Sequence, residues 1–121
     1  MNQVLEMSVV EELLSLSEDG DPELLLDLIE LFLDDGPGKV EAVIRGLEQG
    51  DCEKMERAAH SLKGSSGNLG AQALQDACER LQLASSGNDL ESSRQLAPLV
   101  QSHFDQACEA LRGLQQQFSQ D

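Results

Sequence analysis

A chain of 121 residues has the size of one domain, and a core of that size buries about two-thirds of the unfolded surface. Hydrophobic residues make up 40% and aromatics only 2%, with no Trp or Tyr, so the core has to be built from Leu, Val, Ile and Ala, which favours packed helices over a β-sandwich. A net charge of −15 argues against nucleic acid and anionic membranes as partners. The opening residues hold no apolar run long enough for a signal peptide or a transmembrane helix. Cys52, Cys78 and Cys108 are odd in number, form no CxxC and occupy apolar positions of helical patterns. They read as buried free thiols in a reducing compartment, which places the protein in the cytoplasm.

In chain order, Leu5, Val9, Val10, Leu13, Leu14 and Leu16 predict a short amphipathic helix over 5–16. Glu18-Asp19-Gly20-Asp21-Pro22 breaks it, and Asp21 as N-cap with Pro22 in the first helical position starts the next. From Glu23 to Leu33 apolar residues nearly encircle the axis, which predicts burial on more than one side, with the first helix as the extra cover. Gly36-Pro37-Gly38 interrupts the pattern before Val40, Val43, Ile44 and Leu47 resume it; either two helices meet there or one long helix is kinked. Gly50 ends the segment and Asp51 caps a helix over 51–66, whose Cys52, Met55, Ala59, Leu62 and Ser66 share one face. Gly67 to Gly70 make a corner. Leu74, Ala77, Leu81 and Ala84 then mark a helix that ends at Ser85-Ser86-Gly87-Asn88. Asp89 caps the last helix, where Leu90, Ala97, Phe104, Leu111 and Phe118 fall seven apart with Val100, Ala107 and Leu114 between them. Pro98 bends this helix or marks its first turn. No period-two alternation, hairpin signal or long repeat occurs. The expected fold is all-α: an antiparallel up-down-up-down four-helix bundle with a short additional N-terminal helix, in one domain spanning 1–121.

The stretch His60-Ser61-Leu62-Lys63-Gly64 carries the most specific chemistry. Lys63 and Gly64 follow His60 by three and four residues, so the three share a helical face: an imidazole, a cation and a gap. At about 100° per residue His60 lies roughly 125° from the apolar stripe and Gly64 nearly opposite it, so both face outward. Lys54, Arg57 and Lys63 balance Asp51, Glu53 and Glu56, which leaves this helix formally neutral in an otherwise acidic chain. A lone helical histidine is most often a surface or boundary residue; this context favours a nucleophile or anion site, since a neutral imidazole with one nitrogen held and the other free attacks well near pH 7. Gly64–Gly70 is neither GxGxxG nor a P-loop, and no strand precedes it, so its glycines serve the corner and close helix approach. His103, beside Phe104, lacks both cation and gap and reads as a solvated surface residue. Two histidines and unclustered cysteines make a metal site improbable, and the acidic runs lack calcium-loop spacing.

With Ala58-Ala59 before it, His60–Gly70 resembles the histidine-containing phosphotransfer (HPt) domain family, whose pattern AHxLKGxxxxLGA is met by Ala59, His60, Leu62, Lys63, Gly64, Leu69, Gly70 and Ala71. The similarity extends to the Leu-rich Leu24–Leu33 with its following proline, the Gly50-Asp51 joint, and Leu74, Cys78 and Leu81, and so covers about residues 5–116. It implies that His60 accepts a phosphoryl group from the aspartyl phosphate of a receiver domain and passes it to another receiver. Lys63 would offset the phosphoryl charge, and Gly64, flanked by Arg57 and Gly67, would leave room for the docking receiver. Gln82, at the position of a polar residue that supports the imidazole in this family, would hold the ring, with Ser65 a weaker candidate for the same role. The implied partners are response-regulator receivers or a hybrid sensor histidine kinase. The chain itself would need no cofactor, since Mg²⁺ belongs to the receiver, and without an ATP-binding segment it is not a complete kinase. A monomer is expected. The rival reading is a bundle that docks a regulatory protein without being phosphorylated; a helical metalloenzyme lacks clustered ligands.

Overall fold

Apolar residues recurring every three or four positions become helices wherever a cap or a glycine gives them an end. The computed structural model describes residues 4–16 and 21–118. Among these lie α1 (Met7–Ser15), α2 (Glu23–Gln49), α3 (Cys52–Asn68), α4 (Gln72–Ser86) and α5 (Leu90–Phe118), and no strand. The expected break at Glu18-Asp19-Gly20 lies outside the described residues. The joins after α2, α3 and α4 are two or three residues long, which forces consecutive helices antiparallel. Each helix packs against the next and α5 closes back onto α2, giving an up-down-up-down four-helix bundle with α1 added against α2. Among the described residues no helix is long and apolar enough to cross a membrane.

The ends follow local chemistry. At the head of α2 the N-cap is Pro22 rather than the expected Asp21, so the helix starts one residue later, and Asp21 Oδ1 accepts the Glu23 N–H at 3.0 Å from just outside it. Gly50 stops that helix in the left-handed region at φ +67°, and the Asp51 N–H then reaches back to the Gly46 carbonyl at 2.7 Å. Asp51 Oδ1 accepts the Lys54 N–H at 3.0 Å, and Asp89 Oδ1 the Ser92 N–H at 3.0 Å. The bonds from Ser92 hold the Asp89 carboxyl below its ordinary value.

Two further boundaries depart from expectation. Gly36-Pro37-Gly38 lies inside one continuous helix, although an interior proline costs about 3 kcal/mol in isolation. The glycine before it explains the arrangement: a Cβ at Gly36 would lie 2.5 Å from Cε1 of Phe104, so α5 approaches α2 through a gap only glycine leaves. Phe104 also stacks on Phe32 at a centroid distance of 5.4 Å. The glycine and both rings are buried, and this packing supports the helix on either side of Pro37. Likewise α3 continues to Asn68, past the expected stop at Ser66, and the corner is Leu69-Gly70-Ala71. There Gly70, at φ +77°, gives its carbonyl to the Glu6 N–H at 2.7 Å, and a Cβ on it would meet the Glu6 carbonyl oxygen at 2.9 Å. The N-terminal segment is therefore anchored to the α3–α4 corner as well as to α2.

The α5 seam packs as its spacing requires: Ala97, Val100, Phe104, Ala107, Leu111 and Leu114 are buried, while Leu90 and Phe118 close its ends half-buried. Pro98 is exposed inside α5, well beyond the first turn. Leu25, Ile29 and Phe32 of α2 are buried, but Leu24 and Leu31 stand exposed, so the encircling apolar pattern is not covered all round. All three cysteines are free and buried, and burial pushes the Cys78 thiol up to about 12.

Candidate functional site

Burial of Cys52, Met55, Ala59, Leu62 and Ser66 against the core fixes how α3 is rotated. With that stripe inside, His60 and Gly64 lie on the outer surface, and a Cβ at Gly64 would have no atom within 4 Å. Lys63 is half-buried at the edge that faces α4.

On α4 the core residues Leu74, Cys78 and Leu81 turn Gln82 toward that same edge. Its amide Nε2 lies 3.1 Å from His60 Nδ1. One ring nitrogen is thus held by a half-buried side chain while the ring as a whole is exposed, and no described residue makes a hydrogen bond to its Nε2. Gln82 Oε1 is buried without a hydrogen-bond partner. Which end of an amide faces an imidazole is settled by the hydrogen-bond network. Turned over, the Gln82 amide would let Oε1 accept from an Nδ1–H and leave the lone pair on the outward ring Nε2, with the amide nitrogen then in the buried, unpartnered place.

Lys63 Nζ is 3.7 Å from Glu79 Oε1, so its nearest anion is a carboxylate on α4, one turn before Gln82. Sequence reasoning did not single out Glu79, though the one-turn spacing that pairs Lys63 with His60 also pairs Glu79 with Gln82. Arg57 is exposed and bound to Glu53 at 2.8 Å. It lines a groove of 590 Å³ between α2 and α3, together with Lys39 and Lys54 and the carboxylates of Asp35, Asp51 and Glu53.

Three expected placements change. Ser65 does not reach the imidazole: five residues after His60 it is turned about 140° around the helix. Its hydroxyl donates to the Ser61 and Leu62 carbonyls at 3.3 and 3.2 Å, beside Leu31 and Asn68. Gly67 does not face open space either, because the flexible end of the Gln75 side chain lies over it, its amide nitrogen 2.7 Å from where a Cβ would be. His103 is half-buried rather than solvated. Its Nδ1 is buried without a partner beside a crevice of 210 Å³ lined by Asp76, Arg80, Leu96 and Leu99. No group of three or more metal-ligating side chains occurs among the described residues.

Fold and site together define a class: a helical bundle that presents one exposed histidine, oriented from the neighbouring helix and flanked by a cation and a gap. The model of the Hpt domain matches residues 27–116. The chain belongs to the Hpt domain family. It is 29% identical over 80 residues to multistep phosphorelay regulator 1 of Schizosaccharomyces pombe, which covers 66% of this chain and 27% of that protein. It is 30% identical over 70 residues to histidine-containing phosphotransfer protein 5 of Arabidopsis thaliana, covering 55% of this chain and 45% of that one. The chain thus spans less than half the length of these curated relatives. Its fold matches the crystal structure of histidine-containing phosphotransfer protein B of Pseudomonas aeruginosa with a TM-score of 0.85 at 24% identity, over 97% of this chain and 98% of that one. It matches phosphotransfer protein MtHPt2 of Medicago truncatula with a TM-score of 0.76 at 24% identity, over 94% and 80%.

Proposed function

We propose that the chain is a phosphorelay intermediate of two-component signalling, in which His60 takes a phosphoryl group from the aspartyl phosphate of one receiver domain and gives it to the aspartate of another. The observation that supports this most is the Gln82 amide 3.1 Å from His60 Nδ1 on an otherwise exposed ring. With Nδ1–H donated to Gln82 Oε1, the Nε2 lone pair attacks phosphorus. The N–P bond forms as the bond to the donor carboxylate breaks, and the carboxylate leaves ionised. The ring then carries the positive charge with its proton still on Nδ1, so no proton has to leave. The second transfer runs the same bonds in reverse toward a new carboxylate. Mg²⁺ belongs to the receiver in this reading, and the chain acts as carrier rather than kinase. Lys63 offsets phosphoryl charge, and Gly64 with Arg57 belongs to the docking surface. We read the protein as a cytoplasmic monomer, with its three unpaired buried thiols in keeping with a reducing compartment.

The experiment is intact-mass analysis at neutral pH after mixing with a phosphorylated receiver. One acid-labile phosphate is expected on the wild type and none on His60→Gln, with both showing the same helical circular dichroism. A folded wild type that takes no phosphate from several receivers overturns the relay and leaves the binding-only bundle.

A further inference from the structure

Lys63 stands beside His60 as the cation for an incoming phosphoryl group, yet its ammonium already has an anion in Glu79. The two helices are linked by consecutive rungs, His60 to Gln82 and Lys63 to Glu79. Stepping three residues forward on α3 and three back on α4 moves from one rung to the next, as antiparallel helices require. Glu79 thereby sits on the same edge as the imidazole, where a phosphoryl group would bring a charge of about −1.5 to −2. The charged residues within one turn of His60 on α3 are Glu56, Arg57 and Lys63, and Arg57 is occupied by Glu53 on its own helix at 2.8 Å. The Lys63 pair is longer, at 3.7 Å, with side chains 30% and 58% exposed. Ion pairs this exposed are weak, so a phosphoryl dianion can draw the ammonium away.

We propose that Glu79 sets how readily His60 gives up its phosphoryl group, by competing with that group for the Lys63 ammonium. The inference rests on the relay reading and assigns Glu79 as a positioning residue. Before transfer, Lys63 and Glu79 neutralise each other. Once the N–P bond exists, phosphoryl group and carboxylate share one cation, and their repulsion raises the free energy of the phosphorylated state. When the N–P bond breaks and a P–O bond to the acceptor carboxylate forms, the ring returns to its neutral Nδ1–H form and the ammonium returns to Glu79. No proton or electron is exchanged with solvent.

The test compares wild type with Glu79→Gln, Glu79→Asp, Lys63→Ala and the double variant Lys63→Ala/Glu79→Gln. Each is loaded with phosphoramidate, a small donor that needs no receiver, and the phosphoryl group is titrated by ³¹P NMR. Its partition against a receiver domain is then measured at equilibrium. Glu79→Gln should lower the phosphoryl titration midpoint by about half a unit or more and shift the partition toward this protein by about three- to tenfold. Glu79→Asp, which keeps the charge, should stay within about twofold of wild type, and removing Lys63 first should shrink the Glu79→Gln effect to less than half. An unchanged midpoint in Glu79→Gln, or an equal effect with and without Lys63, overturns the inference. A lowered unfolding temperature alone would reduce Glu79 to a structural tie and overturn it too. If wild type loads from phosphoramidate but exchanges with no receiver, the relay reading fails and the ³¹P midpoints still decide the role of Glu79. If His60 does not load at all, both fall.

Discussion

Gly64 lies inside α3, one turn before its end, with no atom within 4 Å of where its Cβ would be. An interior helical glycine costs about 0.5–1 kcal/mol relative to alanine, and nothing inside the protein offsets that cost here. Gly64→Ala should accordingly raise stability by about 0.5–1 kcal/mol in urea unfolding. If the gap exists for a docking receiver, Gly64→Gln should fold as well as wild type yet transfer phosphate at least about tenfold more slowly, a barrier change of about 1.4 kcal/mol. Normal transfer rates in Gly64→Gln would remove the docking argument. At this scale spacing goes far: His60, Lys63 and Gly64 share a face by arithmetic. Ser65 leaves that face because five residues turn it about 140°, toward α2, whereas Gly67, seven residues after His60, keeps the face by the same arithmetic and is covered by the Gln75 side chain of α4.

Among the elements, α2 shows how local and tertiary forces divide. Gly36-Pro37-Gly38 is a helix-breaking triplet by propensity, and what keeps it helical is the packing of Phe104 against Gly36 and Phe32. The two glycines should therefore answer the same substitution with opposite signs. Gly36→Ala forces a methyl to within 2.5 Å of a buried ring edge and should destabilise by about 1–2 kcal/mol after the helical gain is counted. Gly38→Ala meets nothing within 4 Å and should stabilise by about 0.5–1 kcal/mol. Denaturation midpoints shifting in the same direction for both would refute the assignment of Gly36 to the α2–α5 contact. The caps Asp51 and Asp89 were legible because a side chain bonding three residues ahead is a local event.

For the whole molecule, three free thiols are enclosed in a bundle with nearly no aromatic residues. Thiolate is the reactive form, and burial pushes Cys78 from the ordinary 9.0 up to about 12. Iodoacetamide at pH 8 should leave the native protein unmodified while the urea-unfolded chain takes up three equivalents; rapid labelling of the native protein would show that the core opens readily. Because the core accepts only the neutral thiol, this group's contribution to stability is complete below about 9 and declines between there and about 12, where the unfolded chain releases a proton that the folded one keeps.

Composition and periodicity by themselves determined an all-α bundle, its helix faces, its caps and the outward histidine with its cation and gap, because each depends on residues within a turn or two of one another. Tertiary structure alone decided that α2 runs unbroken through Pro37, that Gly70 receives the N-terminal segment and that Lys63 is already paired with Glu79, while Gln82 beside the imidazole was expected from the family resemblance and from no local pattern. These contacts join residues far apart in the chain, and their geometry depends on how whole helices rotate and approach, which no local pattern encodes.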